Sequence, residues 1–539
     1  MSTPTNPPPP PPASRDPELN ASAMSALGDG PMAPLEKGHP KGLYLLFTVE
    51  MWERFSFYGM KAILMLYMTT ALLSGGLGWS DEYGGLILGT YAGLVYLTPV
   101  IGGYLADRYL GTRRAMIIGG YVIAAGHFCM AAETIPTFFG GLGLIILGTG
   151  LFKSNVSTMV GQLYKQGDSR RDAAFTIFYM GINLGAFIAP LICAYLQESF
   201  GFRYGFAAAG VGMVLGQLFF LAFSSRIMPG IGNPPVKDGG GTTADRAKAA
   251  AMSQPLTTEE RHRVWSVIIM GCLVVFFWTA FEQASSSLTI FARDRVDMTP
   301  PRFLEWAAVE AKPKLEVPAG AEGSPAAAGS VAPAVAPPAV PKAPTAAPAQ
   351  TGKVLPVGWF QSVNPLLVII MAPFFAMLWT GLARRKLEPS TPVKMGAGML
   401  IAAAGFAIMV FAALESQTGA VNSDGFRTII RVSPLWLMAA YLLHTMGELC
   451  LSPVGLSMVT KLAPVKFASL IMGAWFISNF VANFAAGVLG GLINKIGDAG
   501  FILQGQAGFF LLFVITPTVV GILTIALAPT LKKLMHGRG

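Results

Sequence analysis

Apolar residues along this chain gather in long runs separated by polar connections. A helix needs roughly 20 predominantly apolar residues to cross about 30 Å of hydrocarbon. Twelve runs of that kind stand at approximately 43–73, 84–106, 115–132, 137–164, 173–198, 204–225, 264–292, 358–383, 395–414, 433–460, 467–494 and 505–531. Several exceed the minimum length, which predicts tilt or extension into water. The pattern predicts an all-α membrane protein with twelve transmembrane helices. A tail (1–42), a six-helix bundle (43–226), a linker (227–263), a second bundle (264–531) and a short tail (532–539) divide it.

Composition supports this. Of 539 residues 53% are hydrophobic and only 12% charged, about half the usual share for a soluble domain. Mean hydropathy is +0.53. The four cysteines, Cys129, Cys193, Cys272 and Cys450, sit inside apolar runs without CxxC spacing, so they read as buried or lipid-facing thiols. The tail carries Pro7 to Pro12 and no apolar core, and reads as a disordered segment rather than a targeting signal. The loop 294–357 is mostly Ala, Pro and Gly between Ala319 and Gln350, a composition that predicts disorder.

Lysine and arginine set the expected orientation. With a cytoplasmic N-terminus the inner side collects 24 of the 38, the outer side 11, and Arg54, Lys61 and Lys153 lie within runs. Both termini are therefore expected inside. The net charge of +9 then follows from topology and does not imply nucleic acid.

Seven charged residues lie well inside the runs: Glu50, Glu53, Arg54, Lys61, Lys153, Glu282 and Glu448. Each costs roughly 2.5–3.5 kcal/mol at mid-membrane on insertion scales, so they are expected to face an aqueous cavity and pair with one another. At about 100° per residue, Arg54, Tyr58 and Lys61 share one helix face with Glu50 beside them, a polar stripe over roughly 16 Å. Tyr96 shares a face with Asp107 on the second run. Glu282 precedes Gln283 and the run Ser285-Ser286-Ser287, and His444, Glu448 and Ser452 are spaced one turn apart. Asn183 and Asn364 are further membrane amides, a residue type that commonly joins helices. His444 is a candidate pH sensor or a packing side chain. No metal-ligand cluster or nucleophile–base arrangement appears in the sequence, so an enzyme reading has no residues to carry it.

These residues resemble the proton-dependent oligopeptide transporter family, within the major facilitator superfamily, over nearly all of 43–530. Glu50-Met-Trp-Glu53-Arg54-Phe55-Ser56-Phe57-Tyr58 is similar to its ExxERFxYY motif. Gly102 to Arg108 with Gly111, Arg113 and Arg114 is similar to its loop motif. Phe175 to Phe187, Phe281 to Gln283, Gly447 to Ser457 and Met472 to Phe476 resemble signatures of its fifth, seventh, tenth and eleventh helices.

The resemblance implies two six-helix bundles around a central cavity, working by alternating access. It implies import of di- and tripeptides with protons and no cofactor beyond the proton gradient. Arg54 and Lys153 match cations for the peptide carboxylate, and Glu448 the acid for the amino group. Asn183 and Asn364 match polar contacts to the peptide, and Tyr58, Tyr96 and Trp475 cavity aromatics. Glu50, Glu53, Arg54, Glu282 and Glu448 are the expected proton-coupling set. Lys153–Glu448 is the expected bridge at one gate, and Lys61 or Arg54 with Glu282 at the other. Phe57 replaces the first tyrosine of the motif's pair, Ser154 stands where many members have proline, and Gly89 where animal members carry a histidine. Many bacterial members insert two helices between the sixth and seventh, but 227–263 is too polar for that here.

A monomer in a bacterial inner membrane is expected. The alternatives are a proton-coupled carrier of nitrate, a drug or a glycoside, and a membrane receptor using its proline-rich tails. An ion channel is disfavoured, because charge pairs across two bundles suit gating by exchange.

Overall fold

The structure, a computed structural model, describes residues 38–165, 168, 170–234, 256–311, 350–419, 428–462, 468–500 and 502–536. The proline-rich start, most of the 227–263 connection and the Ala/Pro-rich stretch up to residue 349 lie outside the described residues, and so do the expectations about them.

A helix, or a broken pair of helices, stands at each apolar run. They are α1 (Lys41–Thr69), α2 (Asp81–Leu105), α3 (Thr112–Met130), α4 (Ile135–Gln162), α5 (Arg170–Phe200), α6 (Phe202–Ile227), α7 (Thr258–Phe281) and α8 (Ser287–Arg295). After them come α9 (Val363–Arg384), α10 (Thr391–Ser416), α11 (Leu435–Leu462), α12 (Ala468–Gly491), α13 (Ile493–Ala499), α14 (Gln506–Ala526) and α15 (Ala528–Leu534). Among the described residues nine helical segments are long and apolar enough to cross a membrane, or ten if α12 and α13, bent by 63°, form one span. The two runs that fall short have visible reasons. α1 carries Glu50, Glu53, Arg54 and Lys61, and the 19-residue α3 opens with Arg113 and Arg114 beside its N-terminus.

Local chemistry explains the ends and breaks. Ser80 caps α2, accepting from the Tyr83 amide, while Thr134 and Thr257 build capping boxes at α4 and α7. α2 finishes in a wide π turn, Ala106–Leu110, and Gly111 reverses the chain at φ +75°. A methyl group on Gly111 would also strike the Pro234 backbone, so the turn requires glycine twice over. Pro529, near the start of α15, stands just beyond the place where the last run divides. The seventh run divides too. A 3-10 turn, Glu282–Ser285, separates α7 from α8, and helix continues to Arg295, three residues past the predicted end.

The first six helices pack on one another, α1 against α5 and α6, α4 against α2 and α3, and α3 against α6. In the second half α10 packs on α11 and α14, α7 on α12, and α9 on α11. Two seams join the halves. One is α2 against α12; the other is α5 against α9 and the preceding 3-10 turn, Val357–Ser362. In the first seam Gly85 and Gly89 face Gly487 and Gly491, and a methyl group on any of them would run into backbone of the opposing helix. Such small-residue contacts allow close approach where no hydrophobic effect drives helices together. Beside the second, a ribbon of β1 (Val309–Glu310) and β2 (Lys353–Val354), paired antiparallel, closes the base of the long loop.

Close packing makes a stability prediction. A methyl group on Gly102 of α2 would collide with the Gly150 carbonyl of α4, whereas one on Gly140 would meet open space. Gly102→Val should cost about 1–3 kcal/mol and lower the melting temperature of the purified protein by several degrees. Gly140→Ala should not lower it. Thermal melting followed by size-exclusion chromatography checks both.

Candidate functional site

The ionisable residues of the interior come from α1, α4, α11 and the break after α7. On α1, Arg54 Nε lies 3.0 Å from Glu50 Oε1 and 2.5 Å from Glu53 Oε2, all three almost fully buried. Seven residues further along, Lys61 Nζ reaches across to Glu282 Oε2 at 2.6 Å, joining the first half to the break between α7 and α8. The Phe57 ring lies between the cations, its centroid 5.6 Å from Arg54 Cζ and 5.9 Å from Lys61 Nζ. Loss of a hydroxyl here therefore leaves an aromatic face that both cations use.

On α11, Glu448 Oε2 accepts from Asn364 Nδ2 at 2.9 Å, and the same amide donates to Thr445 Oγ1 at 2.9 Å. α9 and α11 thus present one carboxylate. Lys153 on α4 sits 4.0 Å from the Tyr96 ring centroid. Lys153 and Glu448 are not paired, so of the two expected gate bridges one is formed and the other is not. Tyr58 and Tyr96 lie within electrostatic range of Arg54, Glu282 and Glu448, which groups side chains of α1, α2, α11 and the break after α7 around one interior space.

The remaining candidates are placed less tightly. Asn183 donates to the Tyr179 carbonyl of its own helix, at 3.0 Å. Trp475, 7% exposed, rests on Gly455, and Ser452 is half-buried on α11. His444 is enclosed, its ring 4.5 Å from Phe406 and against Gly405, the setting of a packing side chain.

Polar bonds between the halves gather toward the end of the bundle where α1 finishes and α2 begins. Arg293 of α8 donates to Thr69 Oγ1 at 2.5 Å and to Asp81 at 3.2 Å, and is held by Asp294 at 2.8 Å. Asn494 of α13 also donates to Asp81, at 3.3 Å. Trp359 Nε1 donates to the Leu191 carbonyl at 3.1 Å and Ser362 Oγ to the Phe187 carbonyl at 2.7 Å. With Lys61–Glu282, these close that end.

Reading the sequence counted Arg293 as a loop charge; the structure places it within α8 and bonded across the halves. Thr445, adjacent to His444, was also passed over. So was His127, buried on α3 with Nε2 2.6 Å from Ser56 Oγ, whose only signal was its place in an apolar run.

The fold and this interior define a polytopic helical membrane protein with charged groups from both halves around a central space. The chain belongs to the POT family: a family model so described matches residues 113–233 and 349–504. Peptide transporter YePEPT of Yersinia enterocolitica is 36% identical over 510 residues, covering 85% of this chain and 88% of its own. A di-/tripeptide transporter of Lactococcus lactis subsp. cremoris is 30% identical, covering 92% and 97%. A mutant peptide transporter POT solved with alafosfalin superposes with TM-score 0.72 at 33% identity, covering 96% and 99%. A POT family transporter solved with 5-aminolevulinic acid gives 0.73 at 28%, covering 94% and 99%.

The closed end yields a prediction. Arg293→Ala removes charge-assisted bonds worth about 1.5–3 kcal/mol each. Spin labels at Leu72→Cys and Ile502→Cys, both exposed, should report one short distance in the otherwise cysteine-free parent. The Arg293→Ala protein should add a longer-distance population enlarged about tenfold or more.

Proposed function

We propose that this protein is a proton-coupled symporter that imports di- and tripeptides by alternating access. The observation that carries the reading is the separation of charge in the interior. Arg54 and Lys153 come from the first half; Glu448, oriented by Asn364, comes from the second. A peptide is a zwitterion with a variable middle. Cations from one half and an acid from the other grip the two termini that every peptide shares, while aromatic walls of Tyr58, Tyr96 and Trp475 accept varied side chains. The names of the relatives and the ligands of the solved neighbours support a peptide-like zwitterion.

On this reading the twelve helical runs are twelve spans in two six-helix bundles of the major facilitator type, with α1 and α3 crossing despite their charges. The protein is a monomer in the bacterial inner membrane with both termini cytoplasmic. The end closed by Arg293 is then the outer one, and the conformation opens inward. Lys61–Glu282 is made while the outer side is shut, and Lys153–Glu448 is broken while the inner side is open. A proton on Glu282 weakens the first pair; a peptide carboxylate on Lys153 competes with the second. Glu50, Glu53 and Arg54 supply the remaining exchangeable charges. A small amino acid carrying separated amine and carboxylate is a second reading, favoured by the 5-aminolevulinic acid complex of one neighbour.

In proteoliposomes with an inward proton gradient, labelled dialanine should accumulate. Glu448→Gln and Lys153→Ala should each cut that uptake about tenfold or more, the scale of one lost charge-assisted contact. Poor competition by dialanine against 5-aminolevulinic acid would favour the second reading.

A further inference from the structure

Gln283 follows Glu282 at the break in the seventh run, and its amide is fully committed. Nε2 donates to the Thr279 carbonyl at 3.1 Å and to the Ala486 carbonyl of α12 at 3.1 Å. Oε1 accepts from Ser287 Oγ at 2.7 Å, and Ser286 Oγ, 3.3 Å away, shares its one proton between this oxygen and the Ala486 carbonyl. The side chain is 0% exposed. A buried amide that uses both donors and both acceptor sites is rigid, and removing it would strand several backbone and hydroxyl groups.

These bonds form a ladder. Thr279, Gln283 and Ser286 meet Ala482, Ala486 and Gly490 along one face of α12. Thr279 Oγ1 donates to the Ala482 carbonyl at 3.5 Å and Ser286 Oγ to the Ala486 carbonyl at 3.3 Å. Gly490 leaves room for Ser286, since a methyl group there would occupy its hydroxyl. The break is thereby spliced to α12. The next face of α12, about 100° around the helix, presents Gly487 and Gly491 to Gly85 and Gly89 of α2. Glu282, one residue before Gln283, is paired with Lys61 of α1. Gln283 therefore stands between two contacts that join the halves, one electrostatic and one steric.

We propose that Gln283 is the positioning residue that couples the charge state of Glu282 to the α2–α12 glycine seam. The proposal rests on the transport reading above. With Glu282 ionised and paired, Gln283 holds the break and α12 in the register that lets the glycines interlock. When Glu282 takes a proton from the cavity, Lys61 keeps its charge and loses its partner. The freed break then moves, and Gln283 carries α12 with it, loosening the seam. Without this amide, Glu282 can still gain and lose a proton, but the seam no longer follows.

A double-mutant cycle tests this. Gln283→Met keeps side-chain length and removes the bonds. Glu282→Gln mimics the protonated acid. The substrate-independent readout is the distance between spin labels at Leu72→Cys and Ile502→Cys, across the seam. Glu282→Gln alone should shift labels toward the longer distance. In the Gln283→Met background the same substitution should leave the distribution unchanged. In parallel, Gln283→Met should keep dialanine counterflow within about twofold, lose about tenfold of proton-driven uptake, and flatten its pH profile. Ser286→Ala with Ser287→Ala, a milder change, should shift both readouts in the same direction. An equal Glu282→Gln shift with and without Gln283 would overturn the proposal, as would wild-type proton-driven uptake in Gln283→Met. Absence of dialanine transport in the unmodified protein would instead reject the transport reading, while the distance cycle would still decide the role of Gln283.

Discussion

A charge in hydrocarbon must find an opposite charge or water, and the interior of this protein is arranged around that demand. Arg54 is held by two carboxylates of its own helix, whereas Lys61 reaches to the other half for Glu282. The difference matters. A pair within one helix survives any rearrangement of the halves. A pair between halves exists only while they are apposed, so its formation reports the conformation. Buried pairs contribute little net stability, because desolvation offsets attraction. On the proposed transport reading, their use is to make one arrangement depend on the ionisation of one acid.

The backbone is adapted to that use. Glycines on α2 and α12 bring the halves into backbone contact at Gly85, Gly89, Gly487 and Gly491, with the Phe480 ring resting on Gly93 beside them. Arg293, Asn494 and Trp359 add polar bonds at the same end. Toward the other end Lys153 turns to Tyr96 and Glu448 to Asn364, so each charged group is occupied within its own half.

Much of this was legible in the sequence because the membrane writes long signals. Apolar runs gave the helices to within a few residues, and the scarcity of charge made seven residues conspicuous. Their partners were less legible. Lys61–Glu282 spans 221 positions, and only complementary charge hinted at it. The break at Glu282–Ser285 contains no proline or glycine; side-chain amide and hydroxyl bonds create it, and the serine run was its faint trace. Arg293 was miscounted as a loop charge because a break in the preceding helix hid the continuation. Thr445 bonds to Asn364 through a tertiary contact that no local pattern encodes.

The central claim is that Glu282 carries the proton whose binding releases the pair with Lys61. The most direct measurement is proton entry into proteoliposomes holding an entrapped pH dye, recorded when dialanine is added outside. Addition should acidify the lumen of vesicles bearing the unmodified protein and leave that of Glu282→Gln vesicles unchanged, though dialanine still exchanges across both membranes. Acidification of equal rate and extent in the two would contradict the account.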